Sequence, residues 1–145
     1  MLYTEVDSLN QFGGSSTKRL FHAHTDLSLL SYDVLAHFDI SILCSTRNKE
    51  AQTKAFNNGY SNATFGKSPH NYEKSLAIDV GLWKDGGVDY MDEVSFQKIM
   101  DCFKLHAEAR GIEIVCGLDF KSFKDMPHIQ LKHWREMSVD SSLVD

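Results

Sequence analysis

The sequence is poor in the features that mark several protein classes, and each shortage excludes one of them. Its three cysteines, Cys44, Cys102 and Cys116, are odd in number and far apart, which argues against a disulfide framework. They form no C-x-x-C pair of the kind found in structural zinc sites, so we expect small buried apolar residues. No stretch approaches the roughly 20 apolar residues of a membrane-spanning helix. Runs of glycine and serine and internal repeats are also missing, so the chain is not a linker or a repeat array.

Charge of one sign is not concentrated anywhere along the chain. The net charge is -5, and no cluster of lysine and arginine forms the basic stripe that nucleic-acid phosphates require. The first residues, MLYTEVDSLNQFGG, lack a basic start followed by an apolar core, so we expect no secretion signal and synthesis in the cytoplasm. At 145 residues, the chain can bury one hydrophobic core, which predicts a single domain over residues 1–145.

Three segments are predicted to be helices, two from apolar residues on one side at helical spacing and one from its cap and stop residues. The first has Thr25 as its N-cap, the second is capped by Asn48 and stopped near Gly59, and the third covers residues 92–111. The third helix is predicted to bury Val94, Ile99, Cys102, Phe103 and Leu105 or Ala107.

Four short apolar segments predict strands: residues 39–46, 75–83, 112–117 and the segment beginning at His128. Residues 1–24 contain Gly-Gly and Ser-Ser-Thr, which predicts a loop or a short segment packed on the body, and residues 138–145 are expected to be frayed. Because helices and strands do not alternate strictly, the predicted class is α+β, with a small, mostly antiparallel sheet flanked by helices.

Both prolines of the chain stand directly before histidines, Pro69 before His70 and Pro127 before His128. Proline stiffens the backbone, and metal ligands must be held within about 0.5 Å of their working positions. Asp79 lies in an apolar segment, where a charged carboxylate needs a partner such as a divalent cation. Two histidines and an aspartate would leave one position open for water, as in catalytic zinc sites. The spacing alone also fits surface histidines and a hydrogen-bonded structural aspartate.

Asp125 lies three residues before His128, close enough to stand beside a metal without binding it. A carboxylate there can take a proton from a metal-activated water molecule and return it to a departing amine. It could instead cap or brace its own turn.

Three segments resemble, in the same order, those of a zinc peptidase family. SPHNYEKSLAIDV is similar to the S-x-H-x-x-G-x-A-x-D signature, and DFKSFKDMPHIQ to a second block with an acidic residue three positions before a Pro-His pair. STRNKEAQTKAFNNGYSNA resembles an arginine-bearing turn and the helix after it. The family includes phage L-alanyl-D-glutamate endopeptidases, VanX-type D-Ala-D-Ala dipeptidases and, as a fold relative, the hedgehog signalling domain. The resemblance covers about residues 40–130 and implies their fold.

The resemblance also implies a role for each matching residue. His70, Asp79 and His128 would be ligands of Zn²⁺, and Asp125 the general base and acid. Arg47 would position the substrate or stabilise the oxyanion, since a fixed guanidinium suits either task.

Ser68 matches the signature serine, and its implied role is a hydrogen bond that supports the ligands. The chain departs from the signature between His70 and Asp79, where it lacks the glycine and has two further residues within Glu73-Lys74-Ser75. A loop absorbs two residues at small entropic cost, so we expect metal binding to persist and the cleft beside His70 to differ.

The function implied is a zinc-dependent peptidoglycan peptidase, an endolysin that cuts the L-alanyl-D-glutamate bond during host lysis. The expected partner is bacterial peptidoglycan, with no nucleic acid and no stable membrane association, and the enzyme is expected to be a monomer that reaches the wall after release by a holin. Two alternatives stay open: a D-Ala-D-Ala carboxypeptidase or dipeptidase, and a non-catalytic zinc-stabilised binding module.

Overall fold

Helices and strands follow one another without strict alternation. The computed structural model describes residues 10–84, 86–89, 92–122 and 124–144. The helices are α1 (Gly14–Phe21), α2 (Thr25–Leu35), α3 (Lys49–Asn57), α4 (Glu93–Arg110) and α5 (Trp134–Met137). The strands are β1 (Ile40–Cys44), β2 (Tyr72–Glu73), β3 (Ala77–Lys84), β4 (Gly87–Asp89), β5 (Ile114–Cys116), β6 (His128–Leu131) and β7 (Ser142–Leu143). Short 3-10 turns cover Pro69–Asn71, Gly117–Asp119 and Ser138–Asp140.

The main sheet is antiparallel in every pairing, with the order β1-β3-β6-β5, and β4 pairs with the outer part of β3. Strand β3 is central in this sheet, and its adjacent residues Ala77 and Ile78, which point to opposite faces, have no exposed surface. A second, two-stranded antiparallel sheet joins β2 to β7. The predicted α+β class with a small antiparallel sheet is confirmed.

The long helix α4 covers the core with a stripe at helical spacing. Its buried residues are Phe96, Ile99, Met100, Cys102, Phe103 and Ala107. The predicted face is therefore correct for most positions and wrong for Val94, which is 68% exposed. Val94 lies two positions before the first residue of the stripe, which turns it to the opposite side of the helix.

Helix ends are set by local hydrogen bonds. Asn48 caps α3 as predicted, because its Oδ1 accepts from the Ala51 amide at 2.9 Å, and Gly59 follows with a φ of 76°. The predicted cap of α2 is wrong by one residue. The Asp26 amide donates to His24 Nδ1 at 3.1 Å, so His24 is the N-cap and Thr25 begins the helix.

Helix α1 was not predicted, because its sequence GSSTKRLF is largely polar. It forms along the outer edge of β1, where Ser16 Oγ accepts from the Ile42 amide at 3.0 Å and Arg19 Nη1 donates to the Ile42 carbonyl at 2.9 Å. A free strand edge exposes unpaired backbone groups, and α1 satisfies two of them with side chains. Residues 1–9 of the predicted N-terminal segment lie outside the described residues.

The tail predicted to be frayed is paired instead. Leu143 and Ser142 stand opposite Tyr72 and Glu73, and the Val144 amide donates to the Asn71 carbonyl at 2.8 Å. A strand of two residues is too short to show a periodic pattern in the sequence. Its pairing depends on where residues 71–73 lie in the fold. Within the described ranges, none of the helices is both long and apolar enough to cross a membrane.

Replacing Ser16 by alanine should destabilise the fold by removing the acceptor of the buried Ile42 amide. An unsatisfied buried amide costs about 1–3 kcal/mol, so the free energy of unfolding in urea should fall by about that amount. The matched control is Ser15→Ala, an exposed position on the same helix with the same change in helix propensity. Equal stability of the two variants would contradict the edge role of α1.

Candidate metal centre and its cleft

The strand register places Asp79 between two polar neighbours. Asp79 stands directly opposite His128 on β6 and opposite Cys44 on β1, after an irregularity between Ile42 and Cys44. Side chains of directly opposed residues project from the same face of a sheet. His128 Nδ1 and Asp79 Oδ1 are accordingly 3.1 Å apart.

His70 reaches this point from the 3-10 turn Pro69–Asn71. Ser68 Oγ accepts from the His70 amide at 3.2 Å, and Asn71 completes a capping box with the Ser68 backbone. The His70 carbonyl accepts from the Arg47 amide at 2.7 Å. These bonds hold a turn whose histidine side chain is buried.

Three ligand atoms form a nearly equilateral triangle. His70 Nε2 lies 3.3 Å from His128 Nδ1 and 3.4 Å from Asp79 Oδ1, which closes the triangle with the 3.1 Å contact. Bonds from zinc to nitrogen or oxygen are about 2.0–2.1 Å long, so two ligands of a tetrahedral zinc stand about 3.3–3.4 Å apart. The three side chains therefore fit one such ion.

In both histidines the outer ring nitrogen, which points away from the triangle, lies close to an oxygen acceptor. His70 Nδ1 lies 2.7 Å from the Ser45 carbonyl oxygen, and His128 Nε2 lies 2.9 Å from Gln130 Oε1. A carbonyl oxygen only accepts, so each outer nitrogen carries the hydrogen and each inner nitrogen presents a lone pair. Two lone pairs and a carboxylate that face one another need a positive charge between them, which is the chemistry of a metal site.

The electrostatics of the cluster favour positive charge in the same place. Burial alone would lower the pKa of His70, but the neighbouring Asp79 carboxylate and Cys44 raise that pKa to about 10. Burial alone would raise the pKa of Asp79, yet His70 and His128 hold it well below its usual range. A cation bound here would replace the proton of His70.

Asp125 lies beside this triangle, at the start of the turn that leads into β6. The His128 amide donates to the Asp125 carbonyl at 3.2 Å, and the Pro127 carbonyl accepts from the Val80 amide at 2.9 Å. Ligand atoms of Asp79, Asp125 and His128 lie within 4.8 Å of one another. Burial, followed by the negative charge of Asp79, raises the pKa of Asp125, which suits a group that accepts a proton.

Gly117 is needed for this arrangement and was not identified from the sequence. A Cβ at this position would lie 2.3 Å from the Asp125 carbonyl oxygen and 2.9 Å from the His128 Cβ. The Asp125 amide also donates to the Gly117 carbonyl at 2.9 Å. The loop that carries Asp125 can therefore approach β5 only because residue 117 has no side chain.

Arg47 borders the site and is held by its neighbours. Its Nη1 donates to Gln52 Oε1 at 3.0 Å, and its Nη2 lies 3.7 Å from Asp79 Oδ2 and 3.9 Å from Cys44 Sγ. Gln52 is fully buried and also accepts from Asn71 Nδ2 at 3.1 Å. The guanidinium is thus fixed toward the triangle by the helix that follows it.

Cys44 is the least expected neighbour of the site. Its Sγ lies 3.8 Å from His70 Nδ1, and with His70 and Asp79 it forms a second possible group of ligand atoms. Burial raises the pKa of its thiol, but the interaction with His70 outweighs this effect and the pKa is lowered. Strand alternation predicts that Cys44 faces inward, but no sequence pattern brings it to His70. Cys102 and Cys116 are buried, as predicted.

The segment that departs from the family signature packs toward α1. Glu73 Oε1 lies 3.0 Å from His22 Nδ1, and Ser75 is buried. Ser75 Oγ donates to the Ser45 carbonyl at 2.7 Å, and this oxygen is also the partner of His70 Nδ1. The segment that departs from the signature therefore helps to fix the Ser45 carbonyl oxygen, which is the hydrogen-bond partner of His70.

A cleft of about 590 Å³ opens over the triangle. Besides the residues already described, the cleft is lined by aromatic side chains and by positively charged side chains that do not belong to the triangle. These are Tyr60, Phe120, Trp134, Lys67 and Arg135. The site is therefore reachable by a molecule much larger than water.

Comparison with known proteins identifies similar sequences and structures. The sequence model of a family described as phage L-alanyl-D-glutamate peptidase matches residues 9–137. Among solved structures, the chain is similar to the Serratia marcescens L-Ala D-Glu endopeptidase ChiX, with a TM-score of 0.75 and 24% sequence identity. That match covers 90% of this chain and 96% of the other. No curated protein sequence matches the chain.

Replacing Gly117 by alanine should weaken metal binding through the displaced turn. The added methyl group would force the Asp125 carbonyl and His128 apart, and changes around metal ligands typically lower affinity by about 10- to 100-fold. Competition between the protein and a chromogenic chelator for Zn²⁺ measures this. The control is Gly14→Ala, where a Cβ meets nothing within 4 Å. Unchanged zinc affinity in the Gly117 variant would show that the close approach is dispensable.

Proposed function

The chain belongs to the phage L-alanyl-D-glutamate peptidase family, and from this premise we propose that it is a zinc-dependent endolysin. Its substrate would be peptidoglycan, and the bond cut would be the L-alanyl-D-glutamate bond of the stem peptide. The observation that carries the proposal is the triangle of ligand atoms, with sides of 3.1, 3.3 and 3.4 Å, open to a cleft beside Asp125.

We assign the zinc ligands to His70 Nε2, His128 Nδ1 and an Asp79 carboxylate oxygen. Zinc bound there supplies Lewis acidity, which lowers the pKa of a water molecule and polarises a carbonyl oxygen. Cys44 stays outside the proposed ligand set, because its sulfur stands against His70 Nδ1, the nitrogen already bonded to the Ser45 carbonyl. The hydrogen bonds of Ser45 and Gln130 keep both imidazoles in the ligating tautomer.

Asp125 is the proposed general base and acid. Its carboxylate takes a proton from the attacking water molecule and returns it to the nitrogen of the departing D-glutamyl residue. Its raised pKa brings it closer to the working pH than an ordinary carboxylate, which makes both transfers easier. A positioned base of this kind contributes about 10²- to 10⁴-fold to the rate.

Arg47 is the proposed stabiliser of negative charge on the scissile carbonyl oxygen. Its guanidinium is held by Gln52 at 3.0 Å and lines the cleft beside Asp79. A donor that is already fixed needs no reorganisation as charge develops, and this is what makes such stabilisation effective. Ser68 would act through the backbone of His70 and would not touch the substrate.

The phage origin of the family supports a proposal about where the protein is made and where it acts. We propose that the protein is a monomer, made in the host cytoplasm, and that it reaches the cell wall after release by a holin. Neither nucleic acid nor a membrane is a proposed partner.

The products of digestion test the proposed function. Purified peptidoglycan treated with the zinc-loaded protein should release peptides with a new N-terminal D-glutamate, identified by mass spectrometry, and removal of zinc with a chelator should abolish their release. Loss of a terminal D-alanine alone would instead indicate the carboxypeptidase alternative. Failure to release any peptide from the walls offered would favour a binding module.

Replacing Asp125 by asparagine should separate metal binding from turnover. We expect one zinc ion per chain to be retained, with kcat lowered about 10²- to 10⁴-fold, because the proton acceptor is lost while the ligand triangle stays intact. Elemental analysis and a peptidoglycan turbidity assay measure the two quantities. The control is Asp119→Asn, whose exposed carboxylate pairs with Lys104 at 2.7 Å. A wild-type rate in the Asp125 variant would reject the assigned base.

A further inference from the structure

Arg135 is held at the cleft in a way that none of the proposed catalytic steps requires. Its guanidinium carbon lies 4.5 Å from the centre of the Trp134 ring, and Trp134 is only 5% exposed. The Trp134 ring in turn packs near Tyr72, with ring centres 6.4 Å apart. A guanidinium resting on a buried indole is restricted in orientation, while its N–H groups remain at the ring's edge.

The Arg135 side chain makes no ion pair or hydrogen bond with any of the residues that the structure describes. The other two cations of the cleft differ from it. Arg47 is tied to Gln52 and stands 3.7 Å from Asp79, while Lys67, which is exposed like Arg135, stacks on no aromatic ring of the described residues. Among the described residues that line the cleft, Arg135 is therefore the cation that is both oriented and available to a ligand.

The charges of the cleft suit an anionic ligand away from the triangle. Among the described residues that line it, the carboxylates are Asp79 and Asp125, and both belong to the metal centre. The remaining charged lining residues, Arg47, Lys67 and Arg135, are all positive, although the chain as a whole has a net charge of -5. Such a concentration of one sign in a cleft attracts ligands of the opposite sign.

The D-glutamyl residue of the bond for which the family is named carries such an anionic group. D-glutamate has two carboxyl groups, and a peptide chain can continue through only one of them. When it continues through the side-chain carboxyl, the other carboxylate stays on the carbon bonded to the scissile nitrogen. A planar guanidinium can bind this carboxylate with two parallel hydrogen bonds.

We propose that Arg135, positioned by Trp134, binds the free α-carboxylate of the D-glutamyl residue and so sets the specificity for the residue after the scissile bond. This inference rests on the proposed peptidase function. The sequence patterns did not identify Arg135, and the buried Trp134 ring in the wall of the cleft orients its guanidinium.

The experiment compares two zinc-dependent reactions. The substrates are N-acetyl-L-alanyl-D-glutamyl peptides extended through the side-chain carboxyl, one with a free α-carboxylate and one with an α-carboxamide. Wild-type protein should prefer the carboxylate in kcat/KM by about 10- to 100-fold, the range of a hydrogen bond to a charged group. Arg135→Gln should lose that preference and cleave the carboxamide within about 2-fold of wild type.

Three further variants separate a specific contact from general charge. Lys67→Gln removes the same charge from the same cleft and should keep most of the preference, while Lys132→Gln, exposed and outside the cleft lining, should keep all of it. Arg135→Lys should restore only part, because an ammonium lacks the planar fork. The proposal is overturned if Arg135→Gln slows both substrates equally or neither, or if Lys67→Gln abolishes the preference as completely.

Direct binding keeps this inference distinct from the proposed function. Calorimetry with the zinc-loaded protein and the amine-terminated D-glutamyl peptides, in their carboxylate and carboxamide forms, needs no hydrolysis. Carboxylate-selective binding that disappears in Arg135→Gln would support the role of Arg135 even if neither substrate were cleaved, in which case the peptidase function would fail alone. Equal binding of the two forms by wild-type protein would overturn the role of Arg135.

Discussion

The demand of one carboxylate on the central strand for positive charge organises the centre of this protein. Asp79 lies on the central strand with His128 opposite it and His70 above it, at distances of 3.1 and 3.4 Å. His70 Nδ1 and His128 Nε2 are hydrogen-bonded to oxygen acceptors. The other ring nitrogens, His70 Nε2 and His128 Nδ1, therefore offer lone pairs to the same point. Three groups that repel one another when unprotonated stay together only around a proton or a cation.

The rest of the fold keeps this crowded arrangement in register. Strand pairing sets the position of Asp79 against His128, while Gly117 admits the turn that carries Asp125. On the other side, Gln52 and Asn71 are buried and hydrogen-bonded to each other and to the arginine turn. Every buried side-chain nitrogen and oxygen within the described residues has a partner, so the polar interior carries no unpaired group that would loosen it.

The two ends of the described chain stabilise the same centre from outside. Helix α1 satisfies the free edge of β1 through Ser16, and β7 pairs with β2 directly after the His70 turn. Segments that are polar or short in sequence thus form regular structure because a partner surface is already present. The extra residues before Asp79 behave similarly, since Ser75 shares the Ser45 carbonyl with His70.

Local pattern was enough for the long helices, the central strand and the α+β class, because apolar periodicity and caps such as Asn48 act over a few residues. It was also enough, together with family resemblance, to name six of the residues that line the cleft. Tertiary structure alone decided that α1 and β7 form, and that Cys44, Gly117 and Arg135 border the site. These depend on contacts between residues distant in the chain, and such proximity is set by strand register and close packing, which no short segment encodes.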